Sequence, residues 1–401
     1  MNILFMSLIG FDSLKERNIY TDLLRCFVQD GHTVCVVSPI ERRYGKSTYV
    51  IKEDNCTILR LCTGNIQKTN YIEKGLSTLM LEGQMINGIK RYFSDVTFDW
   101  VLYATPPVTF QRVIEYVKKR DGAKTYLMLK DIWPQGLVDL QVIKKHGITR
   151  VLYHFFRNKE ERLYKVSDYI GCMSPANVNY VLSHNNYIEK ERVELCPNAI
   201  EPCEEVFDNK KDTDLLTKYE IPTDKVLFVY GGNLGKAQGV DFLLQTIMSC
   251  VIKDAYFVIV GNGTEYTYLQ ETIKLKELKN VRLMMGLPKD EYEQLLKSCD
   301  VGMIFLDRRY TIPNYPSRIL SYMDKSKPVL AATDLSTDVG LTLQEGKFGL
   351  WCESGDIETM IKNIETMMDE KKRLEMGQNA KLYLNNNFSA RKVTDIIEQH
   401  F

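Results

Sequence analysis

Short apolar runs rich in Val, Ile, Leu and Tyr alternate with segments of helical period along the whole chain, the pattern of parallel sheets covered by helices. In the first series the runs are Ile3–Ser7, Thr33–Ser38, Trp100–Ala104, Thr125–Leu129 and Tyr169–Met173, followed by Val193–Cys196. Apolar periodicity predicts a helix over Glu16–Asp30, ended by Gly31. The alternation then breaks. Pro197, Pro202 and Pro222, with the charged run Asp208–Asp214 among them, mark a linker over residues 199–222. A second series occupies Lys225–Tyr230, Tyr256–Val260, Val281–Met285, Val301–Phe305, Pro328–Ala332 and Gly349–Trp351. The fold class is therefore α/β, with one domain over residues 1–198 and a second over 223–380. A helix over 381–401 is expected to cross between them.

A chain of 401 residues suits two domains of ordinary size. With 52 basic and 52 acidic residues, nothing calls for nucleic acid, and any basic site must be local. Ten scattered cysteines without a Cys-x-x-Cys pair point to reduced thiols. The opening residues lack a basic leader and reach Asp12, Lys15 and Glu16 quickly, and no apolar run approaches bilayer length. A cytoplasmic protein is the expectation.

In doubly wound sheets ligands lie outside the carboxyl ends of the strands, so the loops there carry the candidates. In Thr311–Met323, Pro313 and Pro316 fix an extended approach, and Ser317 is expected to cap a helix whose first-turn N–H groups stay free for an anion. Arg318 adds a permanently charged fork, and Ser321 follows one turn on. Earlier, Gly231–Gly239 lets backbone at Gly232 and Asn233 approach a phosphate, while Lys236 supplies a point charge. The spacing is neither a Rossmann fingerprint nor a Walker loop. Gly286-Leu287-Pro288 reads as a buried loop offering backbone to a base edge, and Gly261-Asn262-Gly263 as a turn. Each has a plain alternative: a capped helix with a surface arginine, a tight turn, an ordinary connection.

In the first half, Asp131 can receive a proton or bond a sugar hydroxyl, and Trp133 can stack on a sugar face; the alternative is a helix cap and a packed indole. Glu16 and Arg17, in the first loop region, are candidates to reach a ligand cleft, on the acceptor side if the resemblance given below holds, although Glu16 also suits the first turn of a helix. Asp212-Thr213-Asp214 has metal-like spacing but reads as a cap, and no metal is expected. Residues 144–165 carry a net charge of +5, interleaved with Leu152, Tyr153, Phe155, Phe156 and Tyr164. They read as a solvated helix with a buried aromatic stripe, or as a peripheral membrane contact.

On these motifs the chain resembles the retaining glycosyltransferases of family 4, of the bacterial surface-polysaccharide type. The resemblance rests on Gly231–Gly239 with Lys236, on Gly286–Pro288, on Pro316-Ser317-Arg318, on Pro197-Asn198 and on Asp131-Ile132-Trp133-Pro134. It implies the GT-B architecture: two facing Rossmann-like domains with a cleft between them, the nucleotide sugar held mainly by the carboxyl-terminal one. Lys236 and Arg318 would then meet the diphosphate, with Gly232, Asn233, Gly286, Leu287, Ser317 and Ser321 around the donor. The implied reaction moves a sugar from a nucleoside diphosphate, by family analogy a uridine one, to a hydroxyl of a glycan or polyprenyl-diphosphate-linked acceptor. It retains the anomeric configuration and needs no cofactor. Three departures stand out. Pro313 and Ser321 occupy the positions of the family's paired glutamates, Asn233 replaces an arginine, and Lys130-Asp131 stands where a histidine is common. A nucleotide-sugar epimerase and a non-catalytic nucleotide-sugar-binding protein are the alternatives.

Overall fold

The computed structural model describes residues 1–66, 71–147, 149–204 and 210–401. Its strands are β1 (Asn2–Met6), β2 (Thr33–Glu41), β3 (Tyr49–Glu53), β4 (Cys56–Thr63), β5 (Trp100–Ala104), β6 (Lys124–Leu129), β7 (Tyr169–Cys172), β8 (Val193–Leu195), β9 (Val226–Asn233), β10 (Ala255–Asn262), β11 (Val281–Met284), β12 (Val301–Phe305), β13 (Val329–Thr333) and β14 (Gly349–Glu353). The helices of the first half are α1 (Ile19–Gln29), α2 (Tyr71–Tyr92), α3 (Gln111–Asp121), α4 (Gln135–Asp139), α5 (Arg150–Val166) and α6 (Pro175–His184). Those of the second are α7 (Thr213–Lys218), α8 (Val240–Ser249), α9 (Tyr266–Leu275), α10 (Lys289–Ser298), α11 (Arg318–Asp324), α12 (Val339–Gly346), α13 (Ile357–Met367) and α14 (Glu370–Asn387), and α15 (Ala390–Glu398) closes the chain.

The chain forms two compact units, Met1–Glu201 with Ser389–Phe401, and Pro202–Phe388. Both are Rossmann-like. The first has an eight-stranded sheet of order β3-β4-β2-β1-β5-β6-β7-β8, parallel except for the β3–β4 pair. The second has six parallel strands of order β11-β10-β9-β12-β13-β14. Strands buried on both faces read as unbroken apolar runs, which is why the sequence marks them well. The β3–β4 pair has no counterpart in the predicted series, because Lys52, Glu53, Asp54 and Arg60 interrupt its apolar pattern.

The predicted boundaries need three corrections. Residues 381–401 are not one helix: α14 packs on α11 in the second unit, the chain breaks at Phe388, and Ser389 caps α15 by accepting from Lys392 N at 3.3 Å. Val393 and Ile397 of α15 join the first unit's core beside Leu23, Phe27 and Trp100. The expected linker is also shorter than 199–222. Glu201 N donates to Asp22 Oδ2 at 2.9 Å in the first unit, Cys203 N to Asp324 Oδ1 at 2.8 Å in the second, and α7 lies inside the run; residues 205–209 are outside the described residues. Finally, α1 starts at Ile19 rather than Glu16. Asn18 Oδ1 accepts from Tyr20 N and Thr21 N while Thr21 Oγ1 accepts from Asn18 N, a reciprocal capping box that fixes the start.

Candidate functional site

In the second unit, strand order reverses between β9 and β12, the place where a doubly wound sheet opens a crevice. The two strands pair only at Val301–Phe228 and Gly302–Val229, although β9 runs on to Asn233 and β12 to Phe305. Tyr322, fully buried on α11, occupies the split. Its hydroxyl accepts from Gly231 N at 3.3 Å and donates to Met303 O at 3.1 Å, and its ring lies over Gly302, where a Cβ would stand 2.3 Å from it. That plug holds α11 over the crevice and sets Arg318, one turn earlier, against the glycine-rich loop.

The two crevice loops also touch each other. A Cβ at Gly239, whose φ is +55°, would stand 2.7 Å from Leu306 O, and Asp307 N donates to Ala237 O at 3.1 Å. Into this junction comes the half-buried Arg318. Its Nη2 donates to Gln238 Oε1 at 2.6 Å, and the guanidinium lies 4.3 Å above the Tyr230 ring. Tyr230 in turn donates to Asn233 O at 2.8 Å, with Gln238 Oε1 at 3.2 Å. Arg318 Nη1 has no partner. Beside it, Gly232 at φ +126° brings backbone against the guanidinium, a Cβ there standing in contact with Arg318 Nη2 at 3.5 Å. Lys236 is exposed in the single 3-10 turn Lys236–Gln238, two residues from Gln238.

Two expectations fail here. Ser317 does not cap its helix, because its φ of −63° and ψ of −18° are already helical and its side chain makes no capping bond. Nor is the first turn wholly free, since Ile319 N and Leu320 N donate to Pro316 O and Ser317 O at 3.2 and 3.1 Å. Ser317 and Ser321 are exposed on α11. The loop expected to be buried at Gly286–Pro288 is open: Gly286 is exposed and Leu287 half-buried. Asn262 braces it by accepting from Gly286 N at 3.3 Å, while its own carbonyl accepts from Leu234 N at 2.9 Å. Gly261–Gly263 is thus a brace between the neighbouring loops rather than a mere turn.

In the first unit the candidates separate. Glu16 and Arg17 lie in the loop before α1; the Glu16 carboxylate accepts from Asp12 N at 2.8 Å, whereas Arg17 donates to Glu201 O. Asp131 follows β6 and is exposed, and it caps no helix because α4 starts after Pro134. The Thr105 hydroxyl braces its turn, accepting from Lys130 N at 3.0 Å. Although Asp131 is open at the loop surface, protein crowds around its carboxyl, and the resulting desolvation raises it to about 7. Trp133 is half-buried, edge-on to Phe156 at 5.9 Å.

Sequence reasoning missed Glu160. This buried carboxylate on α5 accepts from Trp133 N at 3.2 Å, from Tyr164 at 2.9 Å and from Arg157, so it ties the Asp131–Pro134 turn to α5. In a basic, helical run it looked like part of a solvated face. The same helix buries Leu163 and Tyr164, but Val151, Leu152 and Phe155 are 76%, 43% and 41% exposed. The expected aromatic stripe is therefore buried only toward its carboxyl end; residue 148 lies outside the described residues. Among the described residues no helix is long and apolar enough to cross a membrane. Asp212 caps α7, accepting from Leu215 N at 3.0 Å.

Residues 212–383, most of the second unit, match the family model described as Glycosyl transferases group 1. The "Probable glycosyltransferase WbjE" of Pseudomonas aeruginosa is 24% identical over 279 residues, 68% of this chain and 66% of that protein. The chain spans just under two thirds of the length of the curated relatives it matches, 66% and 59%. Among solved structures, sucrose-phosphate synthase from Thermosynechococcus elongatus superposes with a TM-score of 0.75 at 15% identity, over 99% of this chain and 97% of that one. Anabaena HepE in complex with UDP-glucose gives 0.67 at 13% identity, over 100% and 99%. These two share the fold.

Burial pushes the Glu160 carboxyl up from 4.5 to about 7 despite Arg157. The folded chain thus holds that proton more tightly than the unfolded one, and this group's contribution to stability falls as pH rises from 4.5 through about 7. Denaturant unfolding across that range should show Glu160→Gln gaining stability relative to wild type as pH rises. Parallel pH dependences would contradict the assignment.

Proposed function

We propose that a protein whose second unit is a group 1 glycosyl transferase domain uses it to hold a nucleoside diphosphate sugar, and transfers the sugar to an acceptor hydroxyl in polysaccharide biosynthesis. One observation carries this reading. At the β9–β12 reversal a guanidinium is held by Gln238 and Tyr230 with Nη1 unsatisfied, beside a glycine at positive φ. An anion completes that arrangement, and a diphosphate does so with charge to spare for Lys236.

Breaking the bond between the anomeric carbon and the phosphate oxygen gathers negative charge on the leaving diphosphate. A fixed cation at about 4 Å is worth roughly 4 kcal/mol there at an effective dielectric of about 20. Arg318 and Lys236 would supply this without a metal ion. The acceptor hydroxyl oxygen would form the new bond on the face the phosphate leaves, retaining configuration, and its proton would pass to a leaving phosphate oxygen. No protein nucleophile is then required. Uridine is the proposed base: HepE is described in complex with UDP-glucose, and the loop at Gly286, exposed beside Asn262, lies where a base edge would meet backbone.

The first unit would supply the acceptor's contacts. Asp131, its carboxyl near half-ionised at neutral pH, suits a hydrogen bond to the attacking hydroxyl, and Trp133 and Glu16 are the other candidates. Arg17, engaged with Glu201 O, is the weakest of them. A lipid-linked acceptor, with the protein peripheral on a membrane surface, is supported by the exposed Val151, Leu152 and Phe155 beside Lys144, Lys145 and Arg150, all exposed.

Replacing Arg318 or Lys236 by Ala should lower turnover by about ten- to a thousandfold in a transfer assay with UDP-sugars, comparable to losing an oxyanion donor. Arg318→Lys should not restore it, because an ammonium cannot bond Gln238 and phosphate from one rigid fork. Normal turnover in the Ala variants would sink the reading, and an isomerised sugar formed with no acceptor present would favour an epimerase. For the membrane contact, sedimentation with anionic vesicles should retain the wild type and lose a Leu152→Ser, Phe155→Ser double variant. Equal retention of both would exclude that face.

A further inference from the structure

We infer that Thr105 and Glu160 are positioning residues for Asp131, two clamps on one turn that set where its carboxyl stands without touching sugar or diphosphate themselves. This rests on the transfer reading above, in which Asp131 bonds the attacking hydroxyl.

Both clamps are buried, 1% and 3% exposed. Thr105 directly follows β5, and its hydroxyl accepts from Lys130 N at 3.0 Å and from Asp131 N at 3.4 Å. Glu160 reaches in from α5, and its Oε1 accepts from Trp133 N at 3.2 Å. Only Asp131 and Ile132 lie between Lys130 and Trp133. Ile132 is buried, which leaves Asp131 as the side chain the turn presents. The Trp133 ring also rests on α5, edge-on to Phe156 at 5.9 Å.

The Glu160 clamp is itself held. Tyr164 donates to Oε1 at 2.9 Å, and Oε2 accepts from Arg157, which also donates to Asn185 Oδ1 and, at 3.3 Å, to His184 O at the end of α6. An apolar residue would fill the same space without the cost of burying a charge; it would give Trp133 N no acceptor. Tyr180 of α6 and Tyr187 face Glu160 as well, and Asp139 of α4 faces Tyr180. Around Asp131 the titratable neighbour is Tyr20 of α1, while Lys130 turns toward Cys172 and Cys196. Among the described residues no side chain bonds the Asp131 carboxylate, so the backbone of the turn decides its placement.

Placement has a readable consequence. The carboxylate is the form that accepts a hydroxyl's hydrogen bond, so activity rises as pH rises through about 7. Opening a clamp lets water reach the carboxyl and lowers it toward 3.8, which moves this acid limb to lower pH by about half a unit or more. In Thr105→Val such a shift cannot come from losing the titration of Glu160, which is still present.

The test measures transfer from UDP-sugars to a polyprenyl-diphosphate-linked sugar across pH, with UDP calorimetry on the same samples. Glu160→Leu, Glu160→Gln and Thr105→Val are each assayed with and without Asp131→Asn. Glu160→Leu and Thr105→Val remove the two acceptors, and each should lower kcat by about ten- to a hundredfold with UDP affinity unchanged. Glu160→Gln keeps an amide oxygen for Trp133 N and should recover most of the loss, whereas a charge role toward Arg157 would leave it as poor as Glu160→Leu. In the Asp131→Asn background the same changes should cost less than about threefold more. Thr105→Val keeps the shape of the side chain and touches no ion pair, so it carries the test should Glu160→Leu not fold. The assignment is overturned by clamp losses of equal size in both Asp131 backgrounds, by an acid limb unmoved in Thr105→Val, by Glu160→Gln no better than Glu160→Leu, or by full turnover in Asp131→Asn. Each of these leaves the transfer reading standing; a wild type that binds UDP and transfers no sugar removes both.

Discussion

The interaction on which the proposed donor site depends is a guanidinium held against a tyrosine face at the place where the sheet splits. Taking a cation partly out of water is costly unless it is bonded. Here the Tyr230 face at 4.3 Å and the Gln238 oxygen at 2.6 Å offset part of that cost and leave Nη1 unsatisfied. The surroundings are arranged to preserve this state. Tyr322 plugs the strand split and fixes α11, Gly302 admits its ring, and Gly239 lets the two loops close on each other. On the proposed reading, an anion supplies the partner that the protein does not give Nη1.

Much of this was legible in the chain. The glycine-rich loop and the Pro-Ser-Arg turn stood out because glycine and proline mark special backbone, and strand order then brought them together. The residues that hold Arg318 did not stand out. Tyr230 ends an apolar strand and Tyr322 sits in an apolar helix, so both look like core until the split between β9 and β12 is seen. Ser317 had the composition of a cap but not its dihedral angles, which only the approach from Pro316 determines. Glu160 was hidden by its charged neighbours. In each case the missing information was a contact distant in sequence.

The central claim, that Arg318 Nη1 is the diphosphate's seat, is tested most directly by a crystal soaked with UDP. A phosphate oxygen should lie about 2.7–2.9 Å from Nη1, with the Gln238 bond kept. Diphosphate density elsewhere on the protein, with Nη1 still unpartnered, would contradict the account.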